Sequence, residues 1–466
     1  CYNPDKSPRQ TIRKYIDLND AVLPWIEFKT PAFAAVKQWF QDQSITETKG
    51  VFSDIPESRL GTVAQFAEMR VKKKRTGRIV DSVNPVLEDN SGLGHWWEVK
   101  KNCSVYDCWN QADALNVTVN GFNYVFGVGG IHGSAEPQVV ESDDRYAIID
   151  LDVASYYPNL AIANRFRPAH LGEEFCVVYN GIREERVLHP KKQYPMINGT
   201  LKLALNGSYG ESNNAHSPLY DPLFTMSITI NGQLLLCKLS EEISVIEGLT
   251  MIQINTDGLT VKLPRQHLDL LRSLYQQWER ETGLELEEVA YNRMFIRDVN
   301  NYIGEYEDGS LKRKGAYGHE TPLDNPDTRE VEWHKNHSQL VVPKAAEAHL
   351  VRGEPIEKFI REHADLFDFM ILAKVPRSSR LVLKSNGDEF PLQNATRYYV
   401  TDEHHGGSLI KIMPPLPKNP DKDRHIGHCV GWNVQPCNNI ADATAPINFD
   451  YYIQETEKLC EPLRRT

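Results

Sequence analysis

An α+β fold with antiparallel strand pairing is predicted by four stretches of this sequence. Residues 146–153 (YAIIDLDV) form a strand-like run, and residues 251–262 read as a strand hairpin turning at Thr256-Asp257-Gly258. Residues 213–250 and 263–285 read as helices on either side of that hairpin. Asp-Gly between two apolar runs is a strong hairpin signal.

The chain has 466 residues, too many for one core, and its length predicts two to four lobes. Its hydrophobic share of 41% and charged share of 25% are those of an ordinary globular protein. No apolar run approaches the roughly 20 residues that span a bilayer, so no membrane partner is expected. The eight cysteines are scattered singly, which reads as reduced thiols in a cytoplasmic setting and not as a disulfide framework. A net charge of −11 argues against a uniformly basic surface. It leaves local phosphate-binding grooves open, because those depend on where the cations lie. The first residue is Cys1, which reads as the start of a cut or processed chain.

Along the chain, a helix is predicted to start at Thr30-Pro31, a cap residue followed by proline at the first helical position. Phe33, Val36 and Phe40 then share one face and read as core. The densest basic run, Arg70–Arg78 (RVKKKRTGR), is either a solvated helix end or loop, or a phosphate contact. Glycine-rich turns from residue 121 lead into the run at 146–153, and a mixed β and helical segment covers 290–320. Beyond about residue 330, helix-like stretches precede a proline-rich, irregular tail.

The acids of the first strand raise the chemical question. Side chains alternate along a strand, so Ile149, Leu151 and Val153 point into a core while Asp150 and Asp152 point the other way. Two uncompensated carboxylates side by side would cost several kcal/mol to bury. They are expected to face a solvated cleft or bind cations. The hairpin repeats the pattern, with Asp257 at its tip. Two such carboxylates suit hard cations, which take oxygen ligands from one or two acids plus substrate phosphates. Between them, LKLALNGSYGES (201–212) reads as a helix with Lys202, Asn206 and Tyr209 on one stripe. A cation, an amide and an aromatic ring suit a triphosphate, a sugar edge and a base pair.

These residues resemble the family B DNA polymerases in their compact, phage-encoded form. DVASYYP (152–158) resembles motif A, KLALNGSYG (202–210) motif B, and INTDGLTV (254–261) motif C. FGVGGIHG (126–133) is similar to the glycine motif upstream of motif A, and LKRKGAY (311–317) to the downstream basic-aromatic motif. The five occur in the family's order over roughly residues 120–320, and that order is more specific than any one of them.

The resemblance implies a right-hand architecture: an antiparallel-sheet palm, short helical fingers and a mostly helical thumb. Residues 1–120 would be an N-terminal region, and 121–160 the first part of the palm, with the glycine motif and motif A. Residues 161–212 would be the fingers with motif B, 213–330 the second part of the palm, and 331–466 the thumb. It implies a template-directed DNA polymerase that adds deoxynucleotides to a primer 3′ end, in phage DNA replication within the host cytoplasm. Two magnesium ions, with manganese as a substitute, would be held by Asp152, Asp257 and the backbone carbonyl of Val153. Ser155 and Tyr156 would offer N–H groups to the triphosphate, Tyr157 would exclude a 2′-hydroxyl, and Lys202 would neutralise phosphate charge. Asn206 and Tyr209 would line the nascent base pair, with Arg186 a candidate triphosphate contact alongside Arg183, Lys191 and Lys192. Gly129 and Gly130 would approach the template, and Lys312, Lys314 and Tyr317 would hold the primer end.

The sequence departs from the family pattern at Asn255, where motif C carries an acid, and at Gly207, where motif B carries serine. The interval between Asp152 and Lys202 is short and leaves room for a pair of helices at most, around 179–198. No exonuclease motif is evident in residues 1–125, so an exonuclease domain or subunit acting in trans is a candidate partner beside primer-template DNA and deoxynucleoside triphosphates. The alternative reading is a catalytically weakened primer-template binding subunit, supported by Asn255.

Overall fold

A computed structural model describes residues 10–42, 44–51, 115–127, 129–214, 217–319, 337–415 and 422–464. The basic run Arg70–Arg78 lies outside the described residues. The chain divides into two compact units. One comprises Cys1–Ala135 and Ser142–Tyr291, the other Glu136–Glu141 and Asn292–Thr466.

The first unit begins with β1 (Gln10–Asp17), α1 (Pro31–Gln41) and β2 (Ser44–Val51), with β1 and β2 antiparallel. Then follow β3 (Asn116–Val119), β4 (Phe122–Phe126) and β5 (Ile131–Ser134). The next strand, β6 (Gln138–Glu141), belongs to the second unit, and β7 (Tyr146–Val153) returns to the first. Four helices come next: α2 (Tyr156–Ala163), α3 (Glu174–Leu188), α4 (Pro195–Ser212) and α5 (Pro222–Ile243). The hairpin strands β8 (Thr250–Asn255) and β9 (Gly258–Pro264), helix α6 (Leu268–Thr282) and the first half of β10 (Leu286–Asp298) complete the unit. Its sheet runs β10-β7-β9-β8-β5-β4-β3, with every neighbouring pair antiparallel.

Helix α5 is the spine of this unit. It is buried nearly all round, its polar side chains included, and Leu234, Leu235, Leu236 and Leu239 are fully buried. Each such leucine contributes about 1.5–3 kcal/mol on burial. Asp221 caps the helix by accepting from the Leu223 and Phe224 N–H groups at 2.9 and 3.1 Å. The buried amide of Asn231 would be costly unpaired. It donates to the carbonyls of Ala21 and Ser227 and accepts from Leu23 N–H at 2.8 Å. The helix predicted at Thr30-Pro31 is α1, with Phe33, Val36 and Phe40 buried. Its N-terminus is capped from α5: Glu241 accepts the N–H groups of Lys29 and Thr30.

In the second unit the latter half of β10 pairs with β6 and with β11 (Asn301–Tyr306), which pairs in turn with β12 (Leu311–Arg313). Helices α7 (Val341–Arg352) and α8 (Ile356–Glu362) follow. The chain then forms β13 (Ile371–Lys374), β14 (Arg380–Ser385), β15 (Asp388–Leu392) and β16 (Ala395–Thr401). Strands β17 (Ser408–Met413), β18 (Arg424–His428) and β19 (Asn433–Pro436) lead to α9 (Phe449–Cys460). Two antiparallel sheets result, β13-β16-β19 and β15-β14-β17-β18.

The segment 331–466 was expected to be mostly helical; its described residues 337–415 and 422–464 are instead strand-rich. The reason is local. Asn386 and Gly387 both have positive φ, 53° and 91°, and join β14 to β15 through a two-residue turn whose twist matches a hairpin. The mixed α+β class with antiparallel sheets is as predicted. Among the described residues, no helix is long and apolar enough to cross a membrane.

Candidate active site

Strand β7 ends in a forced turn. Ser155 adopts φ 44° and ψ 50°, a left-handed conformation that costs a residue with a side chain about 1–3 kcal/mol. The surroundings hold it there. Ala154 N–H donates to Glu285 O at 2.9 Å, Asn159 N–H donates to Ser155 O at 3.0 Å, and the Asn159 amide donates to Ala154 O at 2.6 Å. Arg186, from α3, donates to the Ser155 hydroxyl, and Arg183, one turn earlier, donates to the Asn159 side chain at 2.7 Å. The turn puts Ser155 and Tyr156 at the N-terminus of α2, where first-turn N–H groups have no partner within the helix and suit an anion.

The two tyrosines diverge. Tyr156 is buried and donates to Gly232 O of α5 at 2.6 Å. Tyr157 is half-buried, donates to Gly129 O, and meets the Tyr209 ring edge-on at 4.9 Å between centroids. Burial pushes the Tyr209 hydroxyl up to about 12 and raises that of Tyr157 further, so both are neutral donors at physiological pH. Tyr209 closes one end of the predicted stripe on α4. Asn206 and Lys202, one and two turns back, are exposed. Lys191 and Lys192 are exposed between α3 and α4.

The hairpin tip meets this turn. Thr256 and Asp257 form the loop between β8 and β9, with Asn255 opposite Gly258. The β7–β9 register sets Asp152 opposite Gly258, and Val153 N–H donates to Asp257 O at 2.7 Å. Gly258 is required by contact. A Cβ there would lie 2.2 Å from Asp152 Oδ1 and 2.6 Å from Leu151 O. The strand end and the hairpin tip, remote in sequence, thus converge. Asp257 is exposed and Asp152 half-buried.

One residue differs from what the sequence suggests, and two near the hairpin have local contacts of their own. Asp150 does not face a cleft. It is 3% exposed and accepts from Thr260 Oγ1 at 2.5 Å and Tyr291 OH at 3.0 Å, because β7 is an interior strand between β9 and β10. Asn255 is engaged locally, its Oδ1 accepting from Thr256 N–H at 2.8 Å. Gly130 is small because Thr256 packs over it, with a Cβ position only 2.8 Å from Thr256 Cγ2, whereas space around Gly129 is open.

His132 was not singled out from the sequence. Its Nε2 lies 3.3 Å from Thr256 Oγ1, and burial lowers its pKa against the opposing pull of Asp257. Strand β5 brings it to the hairpin, and its position two residues after the glycine pair was the only local signal.

Lys312, Lys314 and Tyr317 lie in the second unit. Lys312 is half-buried and Lys314 exposed. Tyr317 is fully buried, its hydroxyl donating to Leu459 O at 3.1 Å, so its ring belongs to the core.

Among the described residues, no cluster of three or more His, Cys, Asp or Glu could hold a metal. The two residues brought together by the backbone, Asp152 and Asp257, carry carboxylates, which are hard oxygen donors. That set fits magnesium, which is commonly bound by one or two carboxylates with phosphate oxygens completing its shell.

No protein-family model matches the chain. Over 207 residues it is 26% identical to DNA polymerase 1 of Aeropyrum pernix, a match taking in 36% of this chain and 21% of that protein. The chain thus spans about a fifth of the curated relative it matches. A solved structure of the family B DNA polymerase from the hyperthermophilic archaeon Pyrobaculum calidifontis is similar at a TM-score of 0.39 and 16% identity, over 72% of this chain and 47% of that one. A structural likeness of that size bears no weight here. On its ordered motifs and its sequence match, the chain resembles the family B DNA polymerases.

Proposed function

We propose that the protein is a template-directed DNA polymerase that extends a primer by phosphoryl transfer. One observation carries the reading: Asp152 and Asp257 meet at the paired ends of β7 and β9, where Val153 N–H donates to Asp257 O at 2.7 Å. The primer 3′-hydroxyl attacks the α-phosphorus of a bound deoxynucleoside triphosphate, the new P–O bond forms and pyrophosphate leaves. In such a reaction the protein contributes position and charge more than covalent chemistry.

Asp152, Asp257 and the carbonyl of Val153 would hold two magnesium ions, which when bound offset charge on the attacking and leaving oxygens. The N–H groups of Ser155 and Tyr156 receive the triphosphate, with Arg186 beside them and Lys202 on α4. Tyr157, braced by Tyr209, stands under the sugar and excludes a 2′-hydroxyl, and Asn206 and Tyr209 line the base pair. Gly129 and Gly130 border the template, and Lys312, Lys314 and the Tyr317 turn hold the primer strand. The N-terminal part of the chain, the palm, the short fingers of α3 and α4, and the thumb take the boundaries given by the motifs.

Primer extension with magnesium and four deoxynucleotides tests the reading. The wild type should extend the primer, and folded Asp152→Ala and Asp257→Ala should not. Binding without extension by the wild type would favour a primer-template binding subunit, the alternative suggested by Asn255 in place of the motif C acid. Primer degradation dependent on Asp257 would make the protein a nuclease instead.

A further inference from the structure

We infer that Glu347 is a positioning residue of segment 311–319, withholding Arg313 and His319 from nucleic-acid phosphates and leaving contact with the DNA backbone to Lys314, the segment's exposed cation, beside the half-buried Lys312. The inference rests on the polymerase reading above.

The segment carries Lys312, Arg313 and Lys314 in succession, with His319 five residues on. Such a run would serve phosphate binding as a block if all its cations reached solvent. The structure divides it instead. Arg313 presents its guanidinium edge to Glu347, with Nε donating to Oε2 and Nη2 donating to Oε1 at 3.3 Å. His319 Nε2 lies 2.7 Å from the same Oε2. Glu347 is 6% exposed on α7, and this fork-to-carboxylate geometry is the stronger kind of ion pair. Burial alone would push the Glu347 carboxyl up, but hydrogen bonds from His319 and Arg313 outweigh it and hold it at about 2. The acid is therefore charged throughout the physiological range and keeps these partners, with Arg352 Nη1 as a third at 3.5 Å from Oε1.

The backbone around Lys314 is pinned on either side. Lys314 N–H donates to Tyr302 O at 3.0 Å, and Ala316 N–H donates to Asn301 Oδ1 at 2.7 Å. The buried Tyr317 hydroxyl is anchored on Leu459 O at 3.1 Å. Lys314 itself is exposed. A rigid turn with one exposed cation gives a point contact of fixed register, where a mobile cluster would bind any phosphate within reach.

Salt dependence of binding separates this role from a purely structural one. For the full chain, the dissociation constant of a primer-template duplex is measured over a range of salt concentrations. Each phosphate contact contributes about 0.9 to the slope of log affinity against log salt. Lys314→Ala should lower the slope by about one. Arg313→Ala should leave it unchanged, and Glu347→Gln should raise it by about one as Arg313 is released. If Arg313→Ala fails to fold, the double variant Arg313→Gln/Glu347→Gln replaces it and should show the wild-type slope. A merely structural Glu347 would alter affinity and stability but not the slope of Glu347→Gln, and that result would overturn the inference. So would a slope lost equally in Arg313→Ala and Lys314→Ala, or one unmoved by Lys314→Ala. A folded wild type with no salt-dependent affinity for primer-template would overturn the polymerase reading itself.

Discussion

The two units bury acids in opposite ways. In the first, the buried carboxylate of Asp150 accepts from neutral hydroxyls, those of Thr260 and Tyr291. In the second, Glu347 is bound by Arg313 and His319, and Asp368 by Lys344 at 2.9 Å and His363 at 2.5 Å. A carboxylate compensated by protein cations is a structural element, since its charge is already matched. Asp257, at the hairpin tip of the first unit, is exposed, and on the proposed reading a divalent cation and phosphates approach it there. The contrast separates acids that hold the fold from acids that can do chemistry.

The largest expected effect breaks the first unit's geometry without touching an acid. In Gly258→Ala the added methyl group would collide with Asp152 Oδ1 and with the Leu151 carbonyl. Misplacement by about 1 Å costs on the order of 100-fold in rate, so extension should fall at least that far while circular dichroism still reports a folded chain. Near-wild-type extension would show that the position of the Asp152 carboxylate does not matter to the reaction.

Next in size is removal of an acid from each unit. Glu347→Ala leaves Arg313 and His319 without their shared partner, which should cost about 3–5 kcal/mol. Asp150→Asn keeps an acceptor for one of its two hydroxyl donors and should cost about 1–2 kcal/mol. Native-state hydrogen exchange reads both locally, in the amides of α7 and of β7. Equal losses would erase the contrast between the units.

How much of this was legible in the sequence depends on the range of the signal. The β8–β9 hairpin, the long buried α5 and the α1 start were readable because alternation, apolar length and a Thr-Pro start are local properties. The convergence of Asp152 and Asp257 was inferred from motif order, and no local pattern specifies it. Asp150 was misread because its partners, Thr260 and Tyr291, lie 110 and 141 residues away, and a strand pattern cannot tell a cleft from an interior strand. The strands after residue 370 are four to seven residues long, too short for alternation to stand out. Their turn chemistry was nevertheless present: Asn386-Gly387 and, in the first unit, Asn120-Gly121 both have the positive φ pairs of hairpin turns. Neither dipeptide was used. The Glu347 network was invisible for the same reason as the Asp150 contacts, since ion-pair partners on separate elements leave no periodic trace.

Acid titration probes the contrast more gently. Glu347 has a folded pKa of about 2 and an ordinary value near 4.5, and Asp368 is also lowered: burial alone would raise its pKa, but hydrogen bonds from His363 and Lys344 prevail. The unfolded chain binds more protons between those pH values, so stability from these acids is complete above about 4.5 and drains away toward 2. Exchange protection in α7 should therefore fall over that window in the wild type and vary less in Glu347→Gln. Identical pH profiles would mean that Glu347 keeps an ordinary pKa in the folded chain.

The smallest effect tests a neutral hydroxyl contact of the first unit at the site itself. Tyr157→Phe removes the donation to Gly129 O but keeps the ring against Tyr209. A neutral hydrogen bond contributes about 1 kcal/mol net, so extension should fall by no more than about fivefold. Discrimination against ribonucleotides should persist, because on the proposed reading it is the ring that fills the space of a 2′-hydroxyl. Tyr157→Ala removes the ring as well and should relax that discrimination. Single-nucleotide incorporation with matched deoxy- and ribonucleoside triphosphates reads both variants. If Phe and Ala relaxed selectivity equally, the hydroxyl latch would be setting the ring's position, and the steric account of Tyr157 would give way to one in which Gly129 and Tyr157 act as a single element.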